Sequence, residues 1–287
     1  MTRDDPSTTR RGLLRGSGLA LVGLGTGAVV RDGSGRSARE SGDDAERNAA
    51  EFPTSATTRI DHSRGVNSAP SLRVRYPYGE HGGVSQLYRL DSPQTELYSR
   101  YWIRYDADFD PSGLGGEWGG PKQPGFIYPG EYGVDDPPDG TNGWSTKPNV
   151  TPSGGLSQYT WDMSVAEGNY GRQYDIVDDF PFGEWVSVTQ RLALNTVSAN
   201  GAANADGVLQ VWVNDRRELD RRSMRFTTRP AEEGIYGWIL FYFGGLEPSP
   251  KGQGLNFDEY VLTAADVTDR TASGADVCPG ENAVVVF

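Results

Sequence analysis

From residue 70 onward, apolar and polar positions alternate with a period of two, the spacing of a strand that buries one face. Glu184 to Asn195 sets Val186, Val188, Leu192 and Leu194 on one face and Trp185, Ser187, Thr189 and Arg191 on the other. Val208 to Val213 alternates again between an Asp206-Gly207 turn and Asn214-Asp215, as in a strand meander. Ile235 to Phe243 is apolar on both faces, which predicts a central strand. Leu72 to Tyr76, Leu97 to Tyr105, Arg225 to Thr228 and Phe257 to Thr263 complete the predicted set. Gly, Pro, Asn and Asp fill the gaps, and no segment reads as a long amphipathic helix. The pattern predicts an all-β protein, an antiparallel β-sandwich of jelly-roll, concanavalin-like type.

The sandwich is expected over residues 70–268, with a tail at 269–287. Ahead of it, Thr9-Arg10-Arg11-Gly12-Leu13-Leu14-Arg15 is followed by a modestly apolar, Gly-rich stretch from Leu19 to Val30. That is the layout of a twin-arginine export signal, assigned to residues 1–31. It predicts an extracellular or cell-surface protein. The stretch is too short and too glycine-rich for a stable membrane span. Residues 32–69 lack periodicity and read as a disordered linker.

Composition narrows the chemistry. Cys278 is the only cysteine, so neither a disulfide framework nor a thiolate metal site can be built. The net charge is -12, yet the bases are almost all arginine, with lysine only at Lys122, Lys147 and Lys251. An acidic, lysine-poor surface suits concentrated salt, where screening shortens the reach of self-repulsion to about 3 Å at 1 M. No basic stripe exists to neutralise phosphates, which argues against nucleic acid as a partner.

One stretch breaks the alternation. Pro111 to Gly155 holds twelve glycines among scattered prolines. It reads either as a long surface loop or as backbone shaped to approach a ligand closely. Lys122 and Lys147 both fall inside it. An ammonium can lose its proton when desolvated and acts as a compact point charge, two properties a guanidinium lacks. A function needing either would keep lysine in a chain that otherwise avoids it.

Gly119-Gly120-Pro121-Lys122-Gln123-Pro124-Gly125 resembles the Gly-Gly-Lys-Leu-Pro-Gly segment of the alginate and glucuronan lyases, polysaccharide lyase families 14 and 20. Asn142-Gly143-Trp144-Ser145-Thr146-Lys147 is similar to their Gly-Trp-Ser-x-Arg strand. Gly183-Glu184-Trp185 with Gln190 to Asn195 is similar to their Gly-x-Trp…Gln-x-x-x-x-Asn-Thr strand. Asp206 to Asn214, Phe243-Gly244-Gly245, Phe257-Asp258, Leu72 to Pro77 and Tyr101-Trp102 extend the likeness over about residues 70–264.

The resemblance implies a secreted enzyme that cuts uronate polymers by β-elimination, with an acidic polysaccharide as its partner. It implies catalytic roles for Lys122, Ser145, Lys147 and Tyr159. Ser145 and Lys147, two apart on an extended strand, project from one face. Lysine stands at 147 where the family has arginine, and Trp161 stands where it has a second tyrosine, leaving an indole suited to stacking on sugar. Tyr170 and Tyr174 are the alternatives to Tyr159. Arg73, Arg75, Gln86, Arg104, His81 and Gln190 are candidates to bind polymer. No cofactor or catalytic metal is required if side chains neutralise the uronate carboxylate. Asp258-Glu259 is expected to pin a loop or a structural calcium. The chain is expected to act as a monomer. Two other readings stay open: a non-catalytic acidic-polysaccharide-binding module on the same fold, or a β-sandwich glycoside hydrolase.

Overall fold

A computed structural model of the chain describes residues 58–66, 70–80, 83–88, 94–112, 120–128, 130–229, 234–244, 248–264 and 283–286. Within 83–88, 236–244 and 283–286 it describes the course of the backbone only. The export signal, most of the linker and most of the tail lie outside the described residues. Among the described residues there is no helix, and every strand pairing is antiparallel.

Two sheets form the sandwich. The first contains β1 (Thr58–Asp61), β2 (Ser71–Tyr76), β4 (Glu96–Tyr105), β10 (Val186–Ala193), β11 (Gly207–Val213), β12 (Arg216–Met224) and β14 (Gln253–Thr263), with β15 (Ala283–Val286) paired to β14. Its order is β1-β2-β14-β4-β10-β11-β12. The second runs β3 (Gly83–Tyr88), β13 (Tyr236–Gly244), β6 (Gly125–Tyr128), β7 (Trp144–Val150), β8 (Leu156–Trp161) and β9 (Arg172–Val177), with β5 (Gly120–Pro121) also paired to β13. Leu72, Val74 and Tyr76 of β2, Tyr101 and Ile103 of β4 and Val186 and Val188 of β10 meet Phe126, Trp144, Val150 and Leu156 of the second sheet in one core.

The alternation seen in the sequence sets these inner faces. Three features differ from it. The first sheet begins at Thr58, upstream of the expected boundary at residue 70; a four-residue strand is too short to show a period. Arg225–Thr228 is not a strand. Asn195 replaces the ladder there: its Oδ1 accepts from the N–H groups of Phe226 (2.7 Å) and Thr227 (3.1 Å), and its Nδ2 donates to the Thr227 carbonyl (2.9 Å). Asn195→Ala leaves those buried groups unpaired, and an equilibrium urea titration is expected to show a loss of about 3 kcal/mol.

The third difference concerns the Gly-rich stretch, whose described part contains β5, β6 and β7. A Cβ at Gly125 would lie 2.3 Å from the Thr146 carbonyl oxygen and 2.5 Å from the Lys147 Cβ. One at Gly155 would lie 2.6 Å from the Val177 carbonyl oxygen. These glycines let strand meet strand, and it is chain rather than ligand that approaches them. Gly113 to Gly119 lie outside the described residues.

Candidate active site

Alternation along β7 sends Trp144, Thr146, Pro148 and Val150 inward and Ser145, Lys147 and Asn149 to the outer face of the second sheet. On β8 the outward set is Ser157, Tyr159 and Trp161. The register places Ser145 opposite Trp161, Lys147 opposite Tyr159 and Asn149 opposite Ser157. Lys122, just past β5, makes a bridge to Asn149 and joins the cluster from the side.

The side chains converge. Lys122 Nζ donates to Asn149 Oδ1 at 2.7 Å. Lys147 Nζ donates to Ser145 Oγ at 3.2 Å. Both amine nitrogens lie over the Tyr159 ring, 5.0 Å and 5.2 Å from its centre. Ser145 also bonds Tyr132, whose ring packs on Trp161 with centres 5.6 Å apart. The Trp161 indole N–H and the Gly171 backbone N–H donate to the Tyr159 oxygen. Two donors on that oxygen leave the phenol's own hydrogen to point elsewhere.

Burial sets the protonation states. Lys122 is 5% exposed, Lys147 7% and Tyr159 7%. Removal from water penalises charge, so it takes the Lys147 amine down to about 7 and pushes the Tyr159 phenol up to about 12. Lys122 falls well below the usual lysine range, first through burial and then through the neighbouring Lys147 charge. The third lysine is different: Lys251 lies nearer the surface and pairs with Asp108 at 2.8 Å.

Because the unfolded chain holds lysine protons up to about pH 10.4 while folded Lys147 sheds its own near 7, the unfolded state binds more protons in between. This contribution to stability is full above about pH 10.4 and is lost as pH falls towards 7; Lys122 acts in the same direction. Lys147→Met removes the Lys147 part. Denaturant titrations at pH 7 and pH 10 are expected to show the variant gaining on the parent at pH 7 by on the order of 3 kcal/mol, with the gap closing at pH 10.

The structure therefore brings together Lys122, Ser145, Lys147, Tyr159 and Trp161. Trp161 packs against Tyr132 and donates to Tyr159. Tyr170 lies on the exposed side near Tyr159, and Tyr174 packs towards the core, with Arg221 over its ring at 4.5 Å.

Several expected polymer-binding residues lie elsewhere. Gln190 is inside the sandwich, where its Nε2 donates to the Pro124 carbonyl at 2.7 Å and its Oε1 accepts from Gln158 at 3.2 Å. Its neighbours Val188 and Leu192 face inward, and a period of two carries Gln190 with its own strand's even positions. Arg73, Arg75 and Arg104 belong to the first sheet, on the face away from the core, so they do not join the lysines. Arg73 pairs with Asp106 at 2.7 Å, and Arg104 Nε donates to the Gly183 carbonyl at 2.7 Å. Gln86 lies on β3, where only the backbone is described, and His81 lies outside the described residues. Asp258 pins a loop: it accepts from the Val66 N–H at 2.9 Å and the Glu259 N–H at 2.9 Å. Among the described residues no three His, Cys, Asp or Glu side chains gather in a group that could hold a metal ion.

Sequence reasoning missed Tyr132 and Asn149. It also missed the polar seam behind the lysines. Gln123 accepts from the Tyr101 hydroxyl at 2.8 Å, and Gln158 donates to Thr146 at 2.9 Å. With Gln190 on Pro124, this seam ties the Lys122 segment and β8 to the opposite sheet. Only Asn149 carried a signal, two positions from Lys147 on the same strand face.

No family model matches the chain, and no curated protein matches it. Solved structures do. The alginate lyase Aly36B superposes with a TM-score of 0.57 at 23% identity, covering 76% of this chain and 89% of that one. A Chlorella virus alginate lyase gives 0.57 at 20% identity over 71% and 88%. An endo-β-1,4-glucuronan lyase from Trichoderma reesei gives 0.52 at 13% over 75% and 91%. The chain has a polysaccharide-lyase fold. At these identities the likeness is one of fold. A variant of the first lyase, with a lysine and a tyrosine each replaced by alanine, was solved with alginate tetrasaccharide.

Proposed function

We propose that the chain is an exported polysaccharide lyase that cleaves a uronic-acid polymer by β-elimination. The observation that carries this reading is the buried set of Lys122, Lys147 and Tyr159, in which two amines are pushed towards neutrality and one phenol is kept protonated. Elimination needs a base for the C5 proton, an acid for the departing O4 and a positive partner for the uronate carboxylate.

Lys147 and Ser145 meet the carboxylate. An anion at Lys147 restores its proton, and the charge so formed keeps Lys122 neutral, since a second positive charge beside the first is disfavoured. Neutral Lys122 takes the C5 proton. The electron pair of that C–H bond becomes the C4–C5 double bond, and the C4–O4 bond breaks. Tyr159 passes its hydrogen to O4 and is reprotonated afterwards from the adjacent Lys122. Asn149 and Trp161 orient the base and the acid. The covering Tyr132 must withdraw for polymer to reach them.

Full-length protein is incubated with alginate, glucuronan and a neutral glucan in concentrated salt, and the ultraviolet absorbance of 4,5-unsaturated uronate is followed. A rise with a uronate polymer and none with the glucan is expected. New reducing ends without that absorbance would make the protein a hydrolase. Retention of polymer with neither signal would leave a binding module, the second reading, which gains from Lys147 and Trp161 standing where the resembling lyases carry arginine and tyrosine. At saturating polymer, whose carboxylate keeps the proton on Lys147, the rate is expected to rise with pH as Lys122 loses its proton and to fall as Tyr159 titrates towards about 12. Export and a salt-rich setting belong to the same proposal, supported by the paired arginines at Arg10-Arg11 and the net charge of -12.

A further inference from the structure

The first sheet turns a different surface to solvent. After β1, residues His62, Ser63, Arg64 and Gly65 fold beside Arg104 of β4 and Trp185, which precedes β10, and these six line an open pocket of about 320 Å³. That volume lies at the lower end of the range for small-molecule sites, about 300–1,000 Å³. Arg64, Arg104 and Trp185 are among its lining residues in a chain whose net charge is -12.

Arg64 lies within electrostatic reach of Asp61, so the cation left to the pocket is Arg104. Among the described residues, Arg104 spends only its Nε, on the Gly183 carbonyl, so its terminal amino groups are available. Asp61 accepts from Ser63 and Asn256, and Asp258 accepts from Val66 and Glu259. A planar guanidinium binds a carboxylate in a two-pronged fashion, and an indole face takes the apolar side of a sugar ring. Arg104 and Trp185 stand side by side at the pocket.

We infer that this pocket is a second, non-catalytic site for a carboxylate-bearing sugar residue, holding an acidic polysaccharide on the sheet opposite the lysines. Val186 pairs with Ile103, so Trp185 and Arg104 are held by adjacent rigid strands of one ladder. The inference takes from the proposed function only the class of polymer.

The test is affinity electrophoresis of the full chain through gels containing polyuronate, in a Lys122→Met background so that cleavage plays no part. Trp185→Ala and Arg104→Gln are each expected to weaken retention about tenfold. Arg64→Gln, on the exposed loop, is expected to weaken it severalfold without altering thermal unfolding, which separates binding from folding. Unchanged retention in all three variants overturns the inference. Equal retention by a neutral glucan, or displacement by sulfate as effective as by a uronate hexasaccharide, overturns it too. If the parent protein cleaves no polymer, the lyase reading fails while this result still stands or falls by retention.

Discussion

Lys122→Met is expected to lower the elimination rate on a uronate polymer by about a thousandfold while leaving the sandwich folded. The reasoning begins with burial. A lysine 5% exposed and shifted towards its neutral form contributes little to stability as a charge. Methionine has nearly the same length, so it fills the space and removes only the amine. Asn149 loses a donor at 2.7 Å, a small cost beside the relief of desolvation. A variant that unfolds at the parent's temperature or above, yet has lost turnover, places the base at Nζ. A variant that keeps full activity removes Lys122 from the chemistry.

Tyr159→Phe is expected to cost a similar factor, but with a different signature. The ring remains for the two lysines to pack on, and only the oxygen is lost. Turnover on the natural polymer then falls because O4 must leave as an alkoxide. A synthetic uronide with an acidic aryl leaving group at O4 needs no such help. Activity on that substrate is expected to survive in Tyr159→Phe and to stay lost in Lys122→Met. Equal losses on both substrates in Tyr159→Phe would remove the acid role from the phenol. Trp161→Phe probes the same oxygen indirectly. Without the indole N–H, kcat is expected to fall while KM stays near the parent's, and the alkaline limb of the pH profile shifts upward.

The sandwich was legible in the sequence wherever one strand face is buried and the other is not. Leu72, Val74 and Tyr76 alternate with Arg73 and Arg75, and the structure keeps that division. The edges were less visible. β12 carries Arg216, Arg217, Arg221 and Arg222 in the open with only Leu219 and Met224 buried, so it shows no clear apolar period. An edge strand without a neighbour is kept charged for that reason. β7 was obscured differently. All seven of its residues are buried, polar ones included, because both of its faces are covered.

The candidate site followed the same logic. Spacing on β7 and β8 correctly grouped Ser145 with Lys147 and Tyr159 with Trp161. Gln190 was misassigned as a ligand for polymer, although Val188 and Leu192 on either side already marked its face as inward. Tyr132 reaches Ser145 and Trp161 from a turn between β6 and β7, and no period connects a turn to a sheet face. The pocket at Arg104 and Trp185 joins residues far apart in the chain, which register alone brings together.

The most direct measurement is the mass of the products from one defined uronate oligosaccharide. β-Elimination adds nothing, so the masses of the two fragments sum to the mass of the substrate; the fragment from the reducing side of the cut carries the unsaturated ring at its new non-reducing end, and the other fragment gains an ordinary reducing end. That sum is expected, with no product formed by Lys122→Met. Fragments whose masses together exceed the substrate by one water, or no cleavage by the parent protein, would contradict it.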